Sequence, residues 1–166
     1  AGLHRRMLWC CQLRVDGLTL EVLRLLKRAG CVQVEFGLES GSQRVLDRMN
    51  KRTTVEQNRQ AVTLAHRVGL RVFANIVVGY PGETREDLEE TRQMLLDTRP
   101  EAISLNRFVP LPGSPVFNEL RSEGRLPTTW DAYTVGNRLN YTQMTLKEFE
   151  AVLAEMTFHG DFASAF

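Results

Sequence analysis

In RVFANIVVGYPGET (residues 71–84) an apolar run alternates with period two and breaks at a glycine. It then turns through Tyr-Pro-Gly and meets Glu-Thr at the head of a charged segment. The alternation predicts a strand over 71–79. Thr84 and Asp87, three residues apart, form a capping pair that opens a helix running to about Asp97, with Glu83 expected in its first turn, where a negative charge favours the helix dipole. Strand, glycine, turn and capped helix make up one βα unit, and the neighbouring segments carry the same punctuation.

Upstream, CVQVEFGLE (31–39) has strand character, and SGSQRVLDRMNKR supplies a loop and a short helix near 42–49. Thr54 with Gln57 caps a helix whose Val62, Ala65 and Val68 share a face and which Gly69 ends. Further back, MLWCCQL (7–13) reads as a short strand. Leu18, Val22, Leu25, Leu26 and Ala29 then repeat at helical spacing and Gly30 closes the element. Downstream, AISLNRFV (102–109) is a strand followed by PLPGSP, where Ser114 is the N-cap and Pro115 the first helical residue. Thr145 with Glu148 caps a last helix carrying Leu146, Phe149, Leu153 and Met156 on one face. The stretch between, with Trp130 and Tyr133, has mixed composition and reads as a linker.

Strands near residues 8, 34, 75 and 105 alternating with helices predict right-handed βαβ units and a parallel sheet. The expected fold is α/β: a partial (β/α) TIM-like barrel of about four βα units plus a C-terminal helix. A complete eight-unit barrel needs about 250 residues, and this chain has 166. It therefore holds about half a barrel, or a small open sheet. Residues 1–122 are expected to form that body, and 123–166 a linker and helical extension.

With 43% hydrophobic and 25% charged residues and a net charge of +1, the composition is that of an ordinary water-soluble domain and shows no field favouring nucleic acid or anionic lipid. No apolar run approaches the roughly 18 residues of a membrane span, and no secretory leader is visible. Cys10, Cys11 and Cys31 are odd in number and two are adjacent, which suits a reducing cytoplasmic setting and matches no zinc or iron–sulfur spacing. His4, His66 and His159 share no motif. A chain that opens at Ala1 and stops at DFASAF is expected to be cut from a longer protein.

A parallel strand covered on both faces should be nearly continuously apolar. Here Val34, Phe36 and Leu38 oppose Gln33, Glu35, Gly37 and Glu39, and Val72, Ala74, Ile76 and Val78 oppose Phe73, Asn75, Val77 and Gly79. Ile103 and Leu105 oppose Ser104, Asn106 and Phe108. One face suits helices. The other is either a solvated, hydrogen-bonded surface or a polar cavity that receives a ligand. Gly37 and Gly79, in the polar column, favour the cavity, since a missing side chain lets another group approach the backbone.

Ligands of such sheets sit at the carboxyl ends of the strands, where GLES (37–40), GYPGET (79–84) and FVPLPGSP (108–115) all fall. Glu39 has a structural alternative as an arginine's partner, Ser40 as a helix cap, and the proline-rich loop as rigid packing. Taken together, FGLESGSQRVLDRMNKRTT, NIVVGYPGET and NRFVPLPGSP, with LWCCQLRVD upstream, resemble the second half of a radical S-adenosylmethionine (SAM) domain. The likeness is to the branch whose members often carry a cobalamin-binding domain, among them radical methyltransferases and anaerobic magnesium-protoporphyrin monomethyl ester cyclases.

The resemblance covers about residues 7–120 and implies a set of roles. Glu39 and Ser40 would hold the ribose and methionyl carboxylate of the cofactor. Val77 and Gly79 would lie against the adenine, with Asn106 and Phe108 adding adenine contacts. It also implies a radical enzyme that cleaves SAM to a 5′-deoxyadenosyl radical on a [4Fe–4S] cluster, for cobalamin-linked methyl transfer or oxidative cyclisation of a small-molecule substrate.

The family's cluster needs cysteines spaced C-x3-C-x2-C, and Cys10, Cys11 and Cys31 do not supply them. The chain alone is therefore expected to hold no metal or bound cofactor, to be inactive, and to have as its partner a missing N-terminal half of the barrel. The bared sheet edge is expected to be covered by a terminal segment or to pair two copies in a homodimer. The competing reading is a non-catalytic α/β ligand-binding or interaction module without an iron–sulfur cluster. A phosphate-handling barrel is disfavoured because GLESGS is no P-loop pattern.

Overall fold

The computed structural model describes residues 2, 6–129, 139–158 and 163–164. In chain order the elements are β1 (Trp9–Leu13), α1 (Leu20–Arg28), β2 (Cys31–Glu39), α2 (Gln43–Arg48), α3 (Val55–Arg67), β3 (Arg71–Val78), α4 (Arg85–Thr98), β4 (Ala102–Arg107), α5 (Pro115–Ser122), α6 (Leu146–Phe158) and β5 (Ala163–Ser164). The strands form one sheet in the order β1-β2-β3-β4-β5, with every neighbouring pair parallel. The four expected strands are all present. The two-residue β5, which pairs with Ala102 and Ile103, is too short to leave a periodicity in the sequence. Trp130, Tyr133, His4 and His159 lie outside the described residues.

The capping signals hold. Thr54 accepts from the Gln57 amide while the Gln57 side chain accepts from the Thr54 amide, and Thr84 and Asp87 do the same at α4. Ser114 caps α5 with Pro115 next to it, and the Thr145 hydroxyl accepts from the Glu148 amide at 3.3 Å. Gly30 and Gly69 follow their helices at φ 96° and 74°, the left-handed region in which glycine meets no steric penalty.

The helix-facing column of the sheet is dry. Val34, Phe36, Leu38, Val72, Ala74, Ile76 and Val78 are all fully buried and pack with Leu23, Val62, Ala65, Leu88 and Met94. In α1 the sequence expectation needs correction. Leu23 is the buried residue, whereas Val22 and Leu25 are 41% and 51% exposed. Leu18 and Leu26 of the expected face do pack against the core; each residue turns about 100° around a helix, which leaves Val22 and Leu25 outside the face that Leu23 and Leu26 share. In α6 the buried set is Phe149, Val152 and Met156, with Leu146 exposed. These three share the core cluster of the strands.

Candidate functional site

The three loops at the carboxyl ends of β2, β3 and β4 form one rim, each built differently. At the β2 exit the pairing with β3 slips: Gly37 faces Asn75, and Glu39 faces Ile76. Glu39 takes φ 62°, and the Ser40 amide donates back to the Leu38 carbonyl at 2.8 Å. This kink separates the two residues expected to act together. The Glu39 carboxylate turns to the open face and accepts from Lys51 Nζ at 2.6 Å, both side chains about one-fifth exposed. A Cβ on Gly37 would stand 2.7 Å from Glu39 Oε1 and 3.2 Å from Lys51 Nζ, so this glycine makes room for that ion pair. The partner is a lysine, not the arginine considered from the sequence. Gln12, Leu13 and Arg14 from the β1 end complete a cleft of about 280 Å³ around the pair.

Ser40 is fully buried behind this face. Its hydroxyl accepts from the Ser42 amide at 3.0 Å and lies 3.1 Å from Thr91 Oγ1. Thr91 Oγ1 also accepts from the Gly41 amide, and Ser42 donates to Asp87. Asp87 further receives Arg44 and the Thr84 amide. Burial alone would raise the Asp87 carboxyl, but the hydrogen bonds from Arg44, Ser42 and Thr84 hold it down at about 2. The network ties the β2 exit to the first turn of α4.

At the β3 exit, Gly79 takes φ 85°, and a Cβ there would meet Phe149 Cζ at 3.1 Å. Glycine is required both by the backbone and by the ring of α6 that packs on it. Glu83 does not occupy the first turn of α4. It precedes the N-cap Thr84, and Glu86 and Asp87 are the acidic residues of that turn. Its side chain instead folds back beneath the loop, where Oε2 accepts from the Gly79 amide at 2.6 Å. Glu83 is 1% exposed, and its Oε1 has no hydrogen-bond partner. Burial pushes its carboxyl up to about 7 against the lowering effect of the Gly79 amide, and nearby Asp87 adds to the rise.

At the β4 exit, Asn106 lies beside Val77 in the register and is exposed; its Nδ2 reaches the Ile76 carbonyl at 3.4 Å. The Phe108 amide donates to Val78 O at 2.8 Å. Its ring meets Tyr80 edge-on at 4.8 Å and Tyr141 at 6.0 Å. Phe108 and Tyr80 wall a pocket of about 400 Å³ whose polar groups include Arg48, Asn50 and Glu119. Val77, Gly79, Asn106 and Phe108 are thus gathered at the β3 and β4 exits. Glu39 opens on a separate cleft, and Ser40 lies underneath. Lys51, Tyr80, Arg48 and Tyr141 escaped the sequence reading. Each is a single residue brought in from a loop or helix end, with no period or spacing to mark it.

The cysteines do not suit an iron–sulfur cluster. Cys10 is exposed, Cys11 half-buried and Cys31 buried. Cys11 and Cys31 lie 3.9 Å apart, and the Cys31 thiol donates to the Gln33 carbonyl. Burial, reinforced by Cys31, pushes the Cys11 thiol up to about 11, the opposite of what a thiolate ligand needs. Among the described residues no group of three or more His, Cys, Asp or Glu is placed to hold a metal ion. No helix among them is long and apolar enough to cross a membrane.

A parallel sheet with helices on one face and its loops gathered at the strand ends is the plan of a partial TIM-type barrel. The sequence profile of the radical SAM superfamily matches residues 6–95, and the chain belongs to that family. It is 35% identical over 124 residues to the anaerobic magnesium-protoporphyrin IX monomethyl ester cyclase of Cereibacter sphaeroides, covering 74% of this chain and 20% of that protein. The Rubrivivax gelatinosus cyclase is 37% identical over 116 residues, covering 69% of this chain and 21% of the relative. The chain thus spans about a fifth of the length of these relatives. Among solved structures, the radical SAM methyltransferase TsrM of Kitasatospora setae, with cobalamin and a [4Fe-4S] cluster bound, superposes with a TM-score of 0.64 at 19% identity. That match covers 72% of this chain and 22% of TsrM, and it shows a shared fold.

Proposed function

We propose that this chain forms the nucleoside-holding side of a radical SAM enzyme whose complete polypeptide is longer. The observation that carries the reading lies at the β3 and β4 exits, where Val77 pairs with Asn106 and where Phe108, with Tyr80, walls a pocket of about 400 Å³. A flat apolar wall with a few polar groups at its margin is what a purine ring requires. In the neighbouring cleft Glu39 and Lys51 offer one carboxylate and one ammonium, which match the ammonium and carboxylate of a methionyl group. Ser40 supports that cleft from below, by holding the turn that aims Glu39.

In the complete enzyme the cofactor would supply a 5′-deoxyadenosyl radical, used for cobalamin-linked methyl transfer or for oxidative cyclisation of a small-molecule substrate. This chain's own contribution is to bind and orient the nucleoside. Its three cysteines do not suit a cluster, so the electron-donating centre is not assigned to it, and the chain by itself is inactive. The misfit of those cysteines also supports a second reading, a ligand-binding α/β module that carries no radical chemistry.

Anaerobic iron–sulfur reconstitution of the full-length protein, with this chain as control, separates the two. SAM cleavage to 5′-deoxyadenosine by the full-length protein and not by the chain is the expected result. A folded full-length protein that takes up no cluster and cleaves no SAM would leave the module reading in its place.

A further inference from the structure

Residues 139–144 follow no regular element, yet Tyr141 is only 4% exposed. A local turn stiffens the segment: Asn140 Oδ1 accepts from the Thr142 amide at 3.0 Å and its hydroxyl at 2.7 Å, and Asn140 Nδ2 donates to the Met144 carbonyl at 2.7 Å. Two backbone bonds then bind the strap to the β3–α4 loop. The Gly82 amide donates to the Tyr141 carbonyl at 3.0 Å, and the Gln143 amide donates to the Glu83 carbonyl at 2.9 Å. Arg125 Nη2 reaches the same Tyr141 carbonyl at 3.2 Å, and its guanidinium lies 5.8 Å from the centre of the Tyr141 ring.

From this anchored position the Tyr141 ring meets Phe108 edge-on, 6.0 Å away at 80°. Phe108 meets Tyr80 in turn at 4.8 Å and 67°. The Phe108 side chain is therefore held on two flanks, by Tyr80 from the β3–α4 loop and by Tyr141 from the strap. Phe108 and Tyr80 line the pocket, and Tyr141 does not.

We propose that Tyr141 is the positioning residue of this pocket: through its ring it fixes the Phe108 side chain as the wall against which a flat ligand ring packs. The strap thereby adds a second side-chain link between the β3–α4 and β4–α5 loops, beside the Tyr80–Phe108 ring contact and the bond from the Phe108 amide to the Val78 carbonyl. An edge-to-face pair of this kind corresponds to about a three- to tenfold change in an equilibrium constant. The choice of a nucleoside as the ligand ring rests on the function proposed above. The fixing of Phe108 does not.

The test compares Tyr141→Phe, Tyr141→Leu and Tyr141→Ala in protein carrying ring-labelled phenylalanine, with adenosine as the probe. In the unliganded protein, Tyr141→Phe is expected to keep the Phe108 ring contacts to Tyr80 seen by NMR. Tyr141→Leu, which keeps bulk but no ring edge, is expected to lose them by averaging while the fold stays cooperative. Adenosine affinity is expected to hold in Tyr141→Phe and to fall about three- to tenfold in Tyr141→Leu. Phe108 ring contacts and affinity unchanged in both Tyr141→Leu and Tyr141→Ala would overturn the proposal. If the unaltered protein does not bind adenosine, the nucleoside reading fails, and the ring contacts alone decide the role of Tyr141.

Discussion

Glu83 is a carboxylate held where water does not reach, with one oxygen on the Gly79 amide and the other unpartnered. Its carboxyl rises from 4.5 to about 7. The folded state therefore keeps a proton that the unfolded chain releases between those values, and stability falls as pH rises through that window, levelling off above about pH 7. Glu83→Gln keeps an acceptor for Gly79 and cannot ionise, so its urea midpoint should lose this slope between pH 4.5 and 7; an unchanged slope would show that Glu83 is not the group responsible. Asp87 works in the opposite sense. Held at about 2, it contributes stability that is present above 3.8 and is lost as pH falls toward 2. Asp87→Asn should cost about 2–3 kcal/mol at neutral pH by weakening the charged hydrogen bonds to Arg44, Ser42 and Thr84. Equilibrium denaturation would measure that loss, and a loss under half a kcal/mol would contradict it.

At the scale of elements, the turn between β2 and α2 meets α4 at Gly41. A Cβ there would lie 2.5 Å from Thr91 Cα and 2.7 Å from the Glu90 carbonyl oxygen. Both are backbone atoms, so the helix must shift to admit it. Gly41→Ala should destabilise the chain by about 1–3 kcal/mol, read as a lowered thermal midpoint, and a wild-type midpoint would show that the approach is looser than described.

This contact had no signature in the sequence, whereas the three Thr-led capping pairs and the alternating strands did. The difference is physical. Capping and alternation act between residues two to four apart, so the chain displays them directly. The Gly41–Thr91 approach, the Glu39–Lys51 pair and the grip of Tyr141 on Phe108 join residues from different elements and arise only when those elements pack. The face of α1 is legible in the sequence only in part for a related reason: Leu18, Val22, Leu25 and Leu26 are all apolar at helical spacing, but the sequence does not say that Leu18 and Leu26 meet the core while Val22 and Leu25 do not. Glu83 was placed in the helix dipole because the chain shows its distance from Thr84 and not the fold of its side chain back to Gly79.

For the whole molecule, the sheet is covered by helices on one face and half-open on the other. Met7 and Leu8, just ahead of the edge strand β1, are 56% and 77% exposed, and Val22 and Leu25 of α1 are also exposed. A parallel edge that no other strand of the described residues pairs, with exposed apolar side chains on the same chain, favours association. Sedimentation should show mass above the 18.9 kDa of one chain, increasing with concentration, and Val22→Glu with Leu25→Glu should reduce it. A monomer at all concentrations, with β1 amides protected from exchange, would count against an open edge.

The same openness bears on ligand affinity, because a cofactor laid on the half-open face is held from one side. Titrating S-adenosylmethionine into the isotopically labelled chain tests the account most directly. Saturable but weak binding is predicted, with a dissociation constant on the order of a millimolar, and with shifts centred on Gly37–Glu39, Val77–Tyr80 and Asn106–Phe108 and reaching the facing Arg48–Lys51 and Glu119. Shifts absent from those three strand ends, or submicromolar affinity in the chain alone, would contradict it.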